Sequence, residues 1–157
     1  MGKLNINHSK TIRLTNVIAY QSLMDDNETT LDIIINQMQS YIRTKGVMQV
    51  GPLIQYAETY TNNDGELDMN IMFMLQCNNY IHSVEAPYSM YSVIRIPNCM
   101  YCRYIGPDDK VGLAYQKIQI EAFEENIMLK DCSYTVFVDS DEEEDTIVAD
   151  VFIPRAE

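Results

Sequence analysis

The sequence has no run of apolar residues long enough to span a bilayer, and its first ten residues, MGKLNINHSK, lack the apolar segment of a signal peptide. A transmembrane helix needs roughly 20 consecutive apolar residues, and a secretory signal needs an apolar core of its own. We therefore expect a cytoplasmic protein with no membrane-inserted segment.

Positive charge is scarce, because 11 Lys and Arg residues stand against 23 Asp and Glu residues, for a formal net charge of -12. Contacts with DNA, RNA and anionic lipid surfaces depend on neutralising phosphates with Lys and Arg. The composition thus disfavours nucleic acids and membranes as partners. With 157 residues, the chain is expected to form a single domain, residues 1–157, that buries a core without a metal or disulfide.

Recognisable metal and catalytic motifs are also missing. Cys99 and Cys102 have the C-x-x-C spacing, but no second such pair exists, and His8 and His82 are isolated. In an extended segment, residues three apart point to opposite faces, so the two thiols would not converge on one ion. The acidic run at 139–146 lacks the EF-hand spacing and its glycine. We expect no metal and no cofactor and, without a nucleophile constellation, assign no catalytic residue.

Apolar periodicity predicts the secondary structure of the first half. Residues 10–22 are rich in β-branched side chains and are predicted to form a strand, and residues 28–45 a helix. Residues 49–61 and 66–77 are predicted strands on either side of NNDG at 62–65, whose residues accept the positive φ of a tight hairpin turn. The predicted order is strand, helix, strand, strand.

The predicted first helix has its own start and stop signals. Asp25, Asp26 and Asn27 offer N-cap oxygens before it, and Gly46 ends it. Its expected buried stripe, at helical spacing, consists of Leu31, Ile34, Ile35, Met38 and Ile42.

The second half repeats the order of the first. Helix starts and hairpin turns both recur after roughly 80 residues, which indicates a duplication with a first repeat at about 10–78 and a second at about 90–154. The predicted elements are a strand at 90–105, a helix at 108–127, and strands at 132–139 and 145–153.

Gly106-Pro107 marks the junction between strand and helix in the second half. Pro107 interrupts the strand, and Asp108 is expected to cap the helix. A phosphate-binding Walker loop would need G-x-x-x-x-G-K-[ST], but Gly112 is followed by Leu113 where the motif has lysine. The side chains of Asp108 and Asp109 would also repel phosphate. The expected buried stripe of this helix consists of Val111, Tyr115, Ile118, Ala122, Phe123 and Ile127.

Three short motifs of the second half are Tyr104-Ile105-Gly106-Pro107, Ala114-Tyr115 and Val151-Phe152-Ile153-Pro154. In this order, the pattern resembles the DNA gyrase inhibitor-like superfamily, also called the transcription-activator effector-binding domain superfamily. The resemblance implies an α+β fold of tandem β-α-β-β repeats with pseudo-two-fold symmetry, antiparallel sheets, two main helices and a central groove for cationic, aromatic, drug-like molecules. Because no helix-turn-helix segment precedes the motifs, we expect a divergent, stand-alone member without a DNA-binding domain.

Candidate site residues follow from strand alternation, which places Tyr56, Glu58 and Tyr60 on one face of the strand at 49–61. A carboxylate between two aromatic rings would hold an organic cation by charge and by cation–π contact. The alternative interpretation is a solvent-facing strand whose tyrosines pack on their neighbours. Eleven Tyr and ten Met residues, with no Trp, supply adaptable apolar surface with polar tips, which suits a ligand cleft.

The predicted strand at 66–77 has an apolar face and a mixed face. The apolar face, expected to lie beneath helices, consists of Leu67, Met69, Ile71, Phe73 and Leu75. The mixed face, which is the groove candidate, consists of Asn70, Met72, Met74 and Gln76. Tyr104 and Tyr134 are expected to complete the cleft from the second half, whereas Tyr115 is assigned to the core. The candidate ligand-binding residues are therefore Tyr56, Glu58, Tyr60, Asn70, Met72, Met74, Tyr104 and Tyr134.

Three functions are compatible with the sequence. The preferred hypothesis is a binding module for a small apolar molecule, with cationic aromatic compounds as the class that the resemblance implies. The second is a protein-interaction or accessory protein of a bacterial operon, which the resemblance associates in some members with secreted toxins. The third is a hydrolase in which Glu58 and a nearby tyrosine act as general base and acid. The expected partner is thus a small-molecule ligand or another protein.

Overall fold

The computed structural model describes residues 5–22 and 31–156, and it confirms an α+β fold in which the order strand, helix, strand, strand occurs twice. In chain order the elements are β1 (Ile6–Ser22), α1 (Leu31–Thr44), β2 (Ile54–Thr61), β3 (Leu67–Gln76), β4 (Tyr88–Pro107), α2 (Gly112–Glu124), β5 (Cys132–Asp141) and β6 (Thr146–Pro154). The predicted start of the first helix at residue 28, with its caps Asp25, Asp26 and Asn27, lies outside the described residues.

The chain divides into two compact units. The N-unit is Arg13–Ile94, and the C-unit joins Met1–Ile12 to Arg95–Glu157. The boundaries fall within the long strands β1 and β4, each of which contributes residues to both units. Each unit therefore has one long helix and its own antiparallel strand pairs.

In the N-unit, β3 is the middle strand, because β1 and β2 both pair with it in antiparallel register. Side chains alternate between the faces of a sheet, so Phe73 and Leu75 lie on one face together with Ile18 of β1. Helix α1 packs on that face as predicted. Its buried residues are Ile34, Met38 and Ile42.

Three residues predicted to be buried in the N-unit are exposed. Leu67 and Met69 lie at the hairpin end of β3, and Leu31 is the first residue of α1. The prediction was wrong for them because α1 packs on the half of β3 that contains Phe73 and Leu75, and periodicity alone does not show where a helix stops covering a strand.

In the C-unit, β6 is the middle strand and pairs antiparallel with β4 and β5. Helix α2 packs on one face of these strands through Ala114, Ile118 and Ala122. The strand residues of this core are Met100, Cys102, Tyr104, Val151 and Ile153.

Helix α2 departs from the predicted pattern at two residues. Phe123 is 84% exposed, because it lies about 100° around the helix from the buried Ala122. Asp108 begins a 3-10 turn, Asp108–Lys110, and α2 starts only at Gly112 without a side-chain cap. The predictions of a buried Phe123 and of a cap at Asp108 were therefore wrong.

The two units share backbone details as well as element order. Asn16 in β1 and Asn98 in β4 both have positive φ, 50° and 55°. The carbonyl oxygen of Asn16 accepts a hydrogen bond from the backbone amide of Cys77 at 2.8 Å, and that of Asn98 accepts one from the backbone amide of Arg155 at 3.0 Å. Positive φ is uncommon outside glycine and asparagine. The same irregularity at matching places supports the duplication that the spacing of the elements indicated.

Left-handed residues also occur at matching ends of elements. Gly46, with φ 76°, follows α1 where the stop signal predicted it, and Asn126, with φ 57°, follows α2. In the hairpin turns, Gly65 precedes β3 with φ 80°, and Asp145 precedes β6 with φ 53°. The chain thus reverses direction by the same local geometry in both units, although only one residue of each pair is glycine.

Candidate functional site

The predicted site residues of β2 and β3 share one face of the N-unit sheet. Directly opposite pairs are Tyr56–Met72, Glu58–Asn70 and Tyr60–Asp68. Directly opposite residues of an antiparallel pair point to the same side, so these six side chains form one surface, which we call the β2–β3 face. By alternation it is the face away from α1, since Phe73 and Leu75 point toward the helix.

Glu58 is held by its neighbour along the strand. The Tyr56 hydroxyl donates a hydrogen bond to Oε2 of Glu58 at 2.8 Å, and both side chains are half-buried. The second oxygen, Oε1, accepts no hydrogen bond from another residue in the part of the chain that the structure describes. A fixed carboxylate with an available oxygen beside an aromatic ring is a suitable partner for a donor group or a cation.

The β2–β3 face is more open and more acidic toward the hairpin. Tyr60 is 42% exposed, and its hydroxyl donates to Oδ2 of Asp68 at 3.3 Å. The charge of Asp68, and more weakly that of Glu58, raises the pKa of the Tyr60 hydroxyl. Two carboxylates therefore act on the same tyrosine at this end of the face.

The other end of the face closes toward the core. Asn70 Oδ1 accepts a hydrogen bond from Nε2 of Gln21 at 2.9 Å, and Met72 is half-buried. Met74, one step further along the same side of β3, is only 3% exposed. Met74 was predicted to line the groove, but its burial leaves Met72 as the methionine that offers surface on this face.

Two of the predicted residues, Tyr104 and Tyr134, lie in the C-unit. Tyr104 is fully buried, and its hydroxyl donates to the carbonyl oxygen of Pro107 at 2.6 Å. Strand alternation puts it on the α2 side of the sheet, so it is a core residue rather than a cleft residue. Tyr134 is opposite Phe152, on the side away from α2, and is also buried.

A shallow depression of about 540 Å³ lies beside α1 in the N-unit. Its wall includes a stacked pair, Tyr41 and Tyr88, with ring centres 4.3 Å apart, and Glu85 accepts the Tyr41 hydroxyl. The lining residues are Ile33, Asn36, Gln37, Ser40, Tyr41, Thr44 and Tyr88. None of these described lining residues is charged, and the nearby Glu85 carboxylate is already paired with the Tyr41 hydroxyl and with Lys45 Nζ at 3.0 Å.

The structure also shows a polar cluster in the C-unit that the sequence analysis did not predict. Asp150 lies opposite Arg103 and accepts hydrogen bonds on Oδ1 from Arg103 Nε at 2.8 Å and on Oδ2 from Nη2 at 3.0 Å. The Tyr101 hydroxyl also donates to Oδ1, at 2.8 Å, and Lys10 Nζ lies 4.0 Å from the centre of the Tyr101 ring. Alternation in β4 puts Tyr101 and Arg103 on one face, but only the register with β6 brings Asp150 to them.

The cluster changes the ionisation of its members. Burial raises the pKa of the Asp150 carboxyl, but the hydrogen bonds from Arg103 and Tyr101 outweigh burial, so the pKa lies below its ordinary value. Burial and the bond to Asp150 together raise the pKa of Tyr101 to about 12. Asp150 is thus held as a carboxylate and Tyr101 as a neutral hydroxyl across the neutral pH range.

We expect Tyr101 to ionise only near pH 12, and the Tyr101→Phe variant to lack this component of a tyrosine absorbance titration. Because the folded pKa exceeds the unfolded value of about 10, the contribution to stability is present below pH 10 and is lost as pH rises toward 12. As a control, Tyr91→Phe removes an exposed tyrosine and should keep the late component. Identical late components in both variants would contradict the assignment.

Over residues 5–22 and 31–156, no group of three or more His, Cys, Asp and Glu side chains has an arrangement that would hold a metal ion. The four cysteines are free thiols, and burial raises the pKa of Cys77, Cys99 and Cys102. Within the same residues, neither helix has the length and apolar character needed to cross a bilayer.

The chain matches no protein-family model and no curated protein sequence. Among solved structures it is similar to EcmrR in an EcmrR–DNA complex, with TM-score 0.74 and 15% identity over 97% of this chain and 57% of that chain. It is similar to the C-terminal domain of EcmrR, with TM-score 0.71 and 13% identity over 98% of each chain. A hydrolase encoded by lin2189 of Listeria innocua gives TM-score 0.61 and 10% identity over 94% of this chain and 91% of that chain.

These similarities show the fold. The chain has the same overall architecture as the C-terminal domain of EcmrR over nearly the whole length of both chains. It spans somewhat more than half, 57%, of the EcmrR chain in the DNA complex.

Proposed function

We propose that this chain is a cytoplasmic binding module for small aromatic cations, and that the β2–β3 face takes the ligand. The observation that carries the proposal is the Tyr56–Glu58 hydrogen bond of 2.8 Å, which fixes one oxygen of a half-buried carboxylate, while no other residue of 5–22 and 31–156 hydrogen-bonds the second oxygen. The proposal agrees with the resemblance of the second-half motifs to effector-binding domains, and the fold is similar to that of the C-terminal domain of EcmrR.

The chemistry of the face suits a cation with an apolar part. The rings of Tyr56 and Tyr60 flank Glu58 along one side of β2. The negative charge of Glu58 and the cation–π attraction of the two rings therefore act on the same cationic group of the ligand. Met72, opposite Tyr56, adds a flexible, polarizable surface that adapts to ligand shape. The net charge of -12 favours the approach of cations over anions. For the same reason, we propose that this domain does not itself contact nucleic acid.

One further observation favours a second candidate, hydrolysis. A tyrosine hydroxyl within hydrogen-bond distance of a carboxylate is an acid–base pair, and one solved structure with this fold is a hydrolase. In that case Tyr56→Phe and Glu58→Gln should each abolish turnover of a substrate from an ester and amide panel. Turnover that survives both substitutions would remove the second candidate.

A thermal-shift screen tests the binding proposal. Aryl ammonium cations such as benzyltriethylammonium should raise the melting temperature, whereas neutral amides of similar size such as N,N-diethylbenzamide should do so weakly. A ligand at 100 times its dissociation constant stabilises the native state by about 2.7 kcal/mol. No shift across a broad cation panel would contradict the proposal and favour a protein partner instead.

A further inference from the structure

The outer side of α2 carries an apolar stripe where a surface helix is expected to be polar. Leu113, Ile120 and Phe123 are 39%, 57% and 84% exposed. They lie on the side of the helix opposite the buried residues Ala114, Ile118 and Ala122. We call Leu113, Ile120 and Phe123 the α2 stripe. Neighbouring exposed apolar side chains of this size indicate a surface that another molecule covers.

Two opposite charges flank the stripe on the same side of the helix. Lys117 and Glu124 are both exposed and are seven residues apart, which is two helical turns or roughly 10 Å. Neither side chain makes an ion pair with another residue among those that the structure describes. The neighbouring Glu121 already has a partner, because its Oε2 lies 2.5 Å from Nε2 of His8.

We infer that the α2 stripe is a homodimer surface, on which a second copy of the chain places its own α2 in antiparallel orientation. A two-fold axis perpendicular to the plane of two antiparallel helices leaves the charged flank of each helix on the same side of that plane. It reverses the chain direction of the second helix relative to the first. With the axis near residues 120 and 121, Lys117 of each copy therefore faces Glu124 of the other. The apolar residues Ile120 and Phe123 pack across the axis between the two ion pairs.

Charge favours a second copy over a partner of unrelated chemistry. A single lysine and a single glutamate, symmetric about an apolar centre, are complementary to the same surface turned by two-fold rotation. One helix stripe buries far less than the roughly 800 Å² per partner of a typical stable interface. We therefore expect a weak dimer, with a dissociation constant of about 10 to 100 µM.

Sedimentation velocity at protein concentrations between about 1 and 500 µM brackets the expected dissociation constant of the dimer. The buffer should contain about 0.15 M salt, which screens the repulsion between the net charges of the two copies beyond about 8 Å. The wild type should shift from monomer to dimer across this range. A variant with Ile120→Ser and Phe123→Ser should stay monomeric. The control Leu67→Ser, which removes a 78% exposed leucine from the N-unit, should dimerise as the wild type does.

Charge reversal makes the test specific for the antiparallel arrangement. Lys117→Glu and Glu124→Lys each create two like-charge contacts per dimer and should weaken dimerisation at least about tenfold. An equimolar mixture of the two variants restores both opposite-charge contacts, so it should form a heterodimer with about the wild-type constant, as should the doubly reversed variant alone. A wild type that is monomeric throughout overturns the proposal. A dimer that persists without Ile120 and Phe123 does so as well, and so does a mixture that stays monomeric.

Discussion

Replacing Glu58 by glutamine should weaken the binding of an aromatic cation by about ten- to a hundredfold and change the affinity for a neutral analogue by less than about threefold. A charge-assisted contact in a half-buried place contributes roughly 1.5 to 3 kcal/mol, which corresponds to that loss. Glutamine keeps the shape and one acceptor oxygen for the Tyr56 hydroxyl. Isothermal titration with benzyltriethylammonium and N,N-diethylbenzamide measures both affinities.

The matched control for this prediction is Glu66→Gln, which removes the same charge from an exposed position next to the hairpin turn. If only the overall negative charge attracts the ligand, both variants should lose a similar, small amount of affinity. If Glu58 contacts the ligand, the loss is confined to Glu58→Gln and to the cation. Equal cation affinities of the wild type and Glu58→Gln would remove Glu58 from the site.

The Asp150→Ala substitution should lower the free energy of unfolding by about 2 kcal/mol, because Arg103 and Tyr101 lose a shared acceptor whose side chain is only 14% exposed. Denaturant unfolding measures the loss. The control is Asp68→Ala, which breaks a tyrosine contact of 3.3 Å at the exposed end of the β2–β3 face and should cost less than about 0.5 kcal/mol.

Acid should remove the same contribution from the wild type. The pKa of Asp150 is lower in the folded protein than its ordinary value of about 4, so its stabilisation is present above pH 4 and is lost as pH falls through the folded pKa. The difference in stability between the wild type and Asp150→Ala should therefore shrink below about pH 4. A difference that stays constant to lower pH would show that the Arg103 contact does not depend on the carboxylate charge.

The helices and hairpins were predictable because their signals are local. Helical spacing located α1 and α2, and Asn, Asp and Gly marked the turn before β3. Burial of a helix face depends on where its neighbours end, and no local signal reports that. Phe123 illustrates this limit, since an apolar residue one position after the buried Ala122 was assigned to the core and is instead almost fully exposed.

The sequence predicted the parts of the candidate site that lie within a single strand. It did not predict the contacts between residues of different strands. Alternation in β2 correctly placed Tyr56, Glu58 and Tyr60 on one face. Alternation could not decide which face of β4 lies under α2, and Tyr104 proved to be a core residue. The contact of Asp150 with Arg103 depends on the register between two strands more than 40 residues apart, which periodicity does not specify.

The location of a bound aromatic cation tests the central proposal most directly. In a protein labelled with carbon-13 at the methionine methyl groups, the ring of a ligand on the β2–β3 face should shift the Met72 signal, identified by its loss in Met72→Leu. The size of the shift should rise with ligand concentration along the binding curve that the dissociation constant from calorimetry gives. The signals of the exposed Met48 and Met128, which lie outside the face, should stay unchanged. A cation that binds and leaves the Met72 signal unmoved would contradict the β2–β3 face as the site.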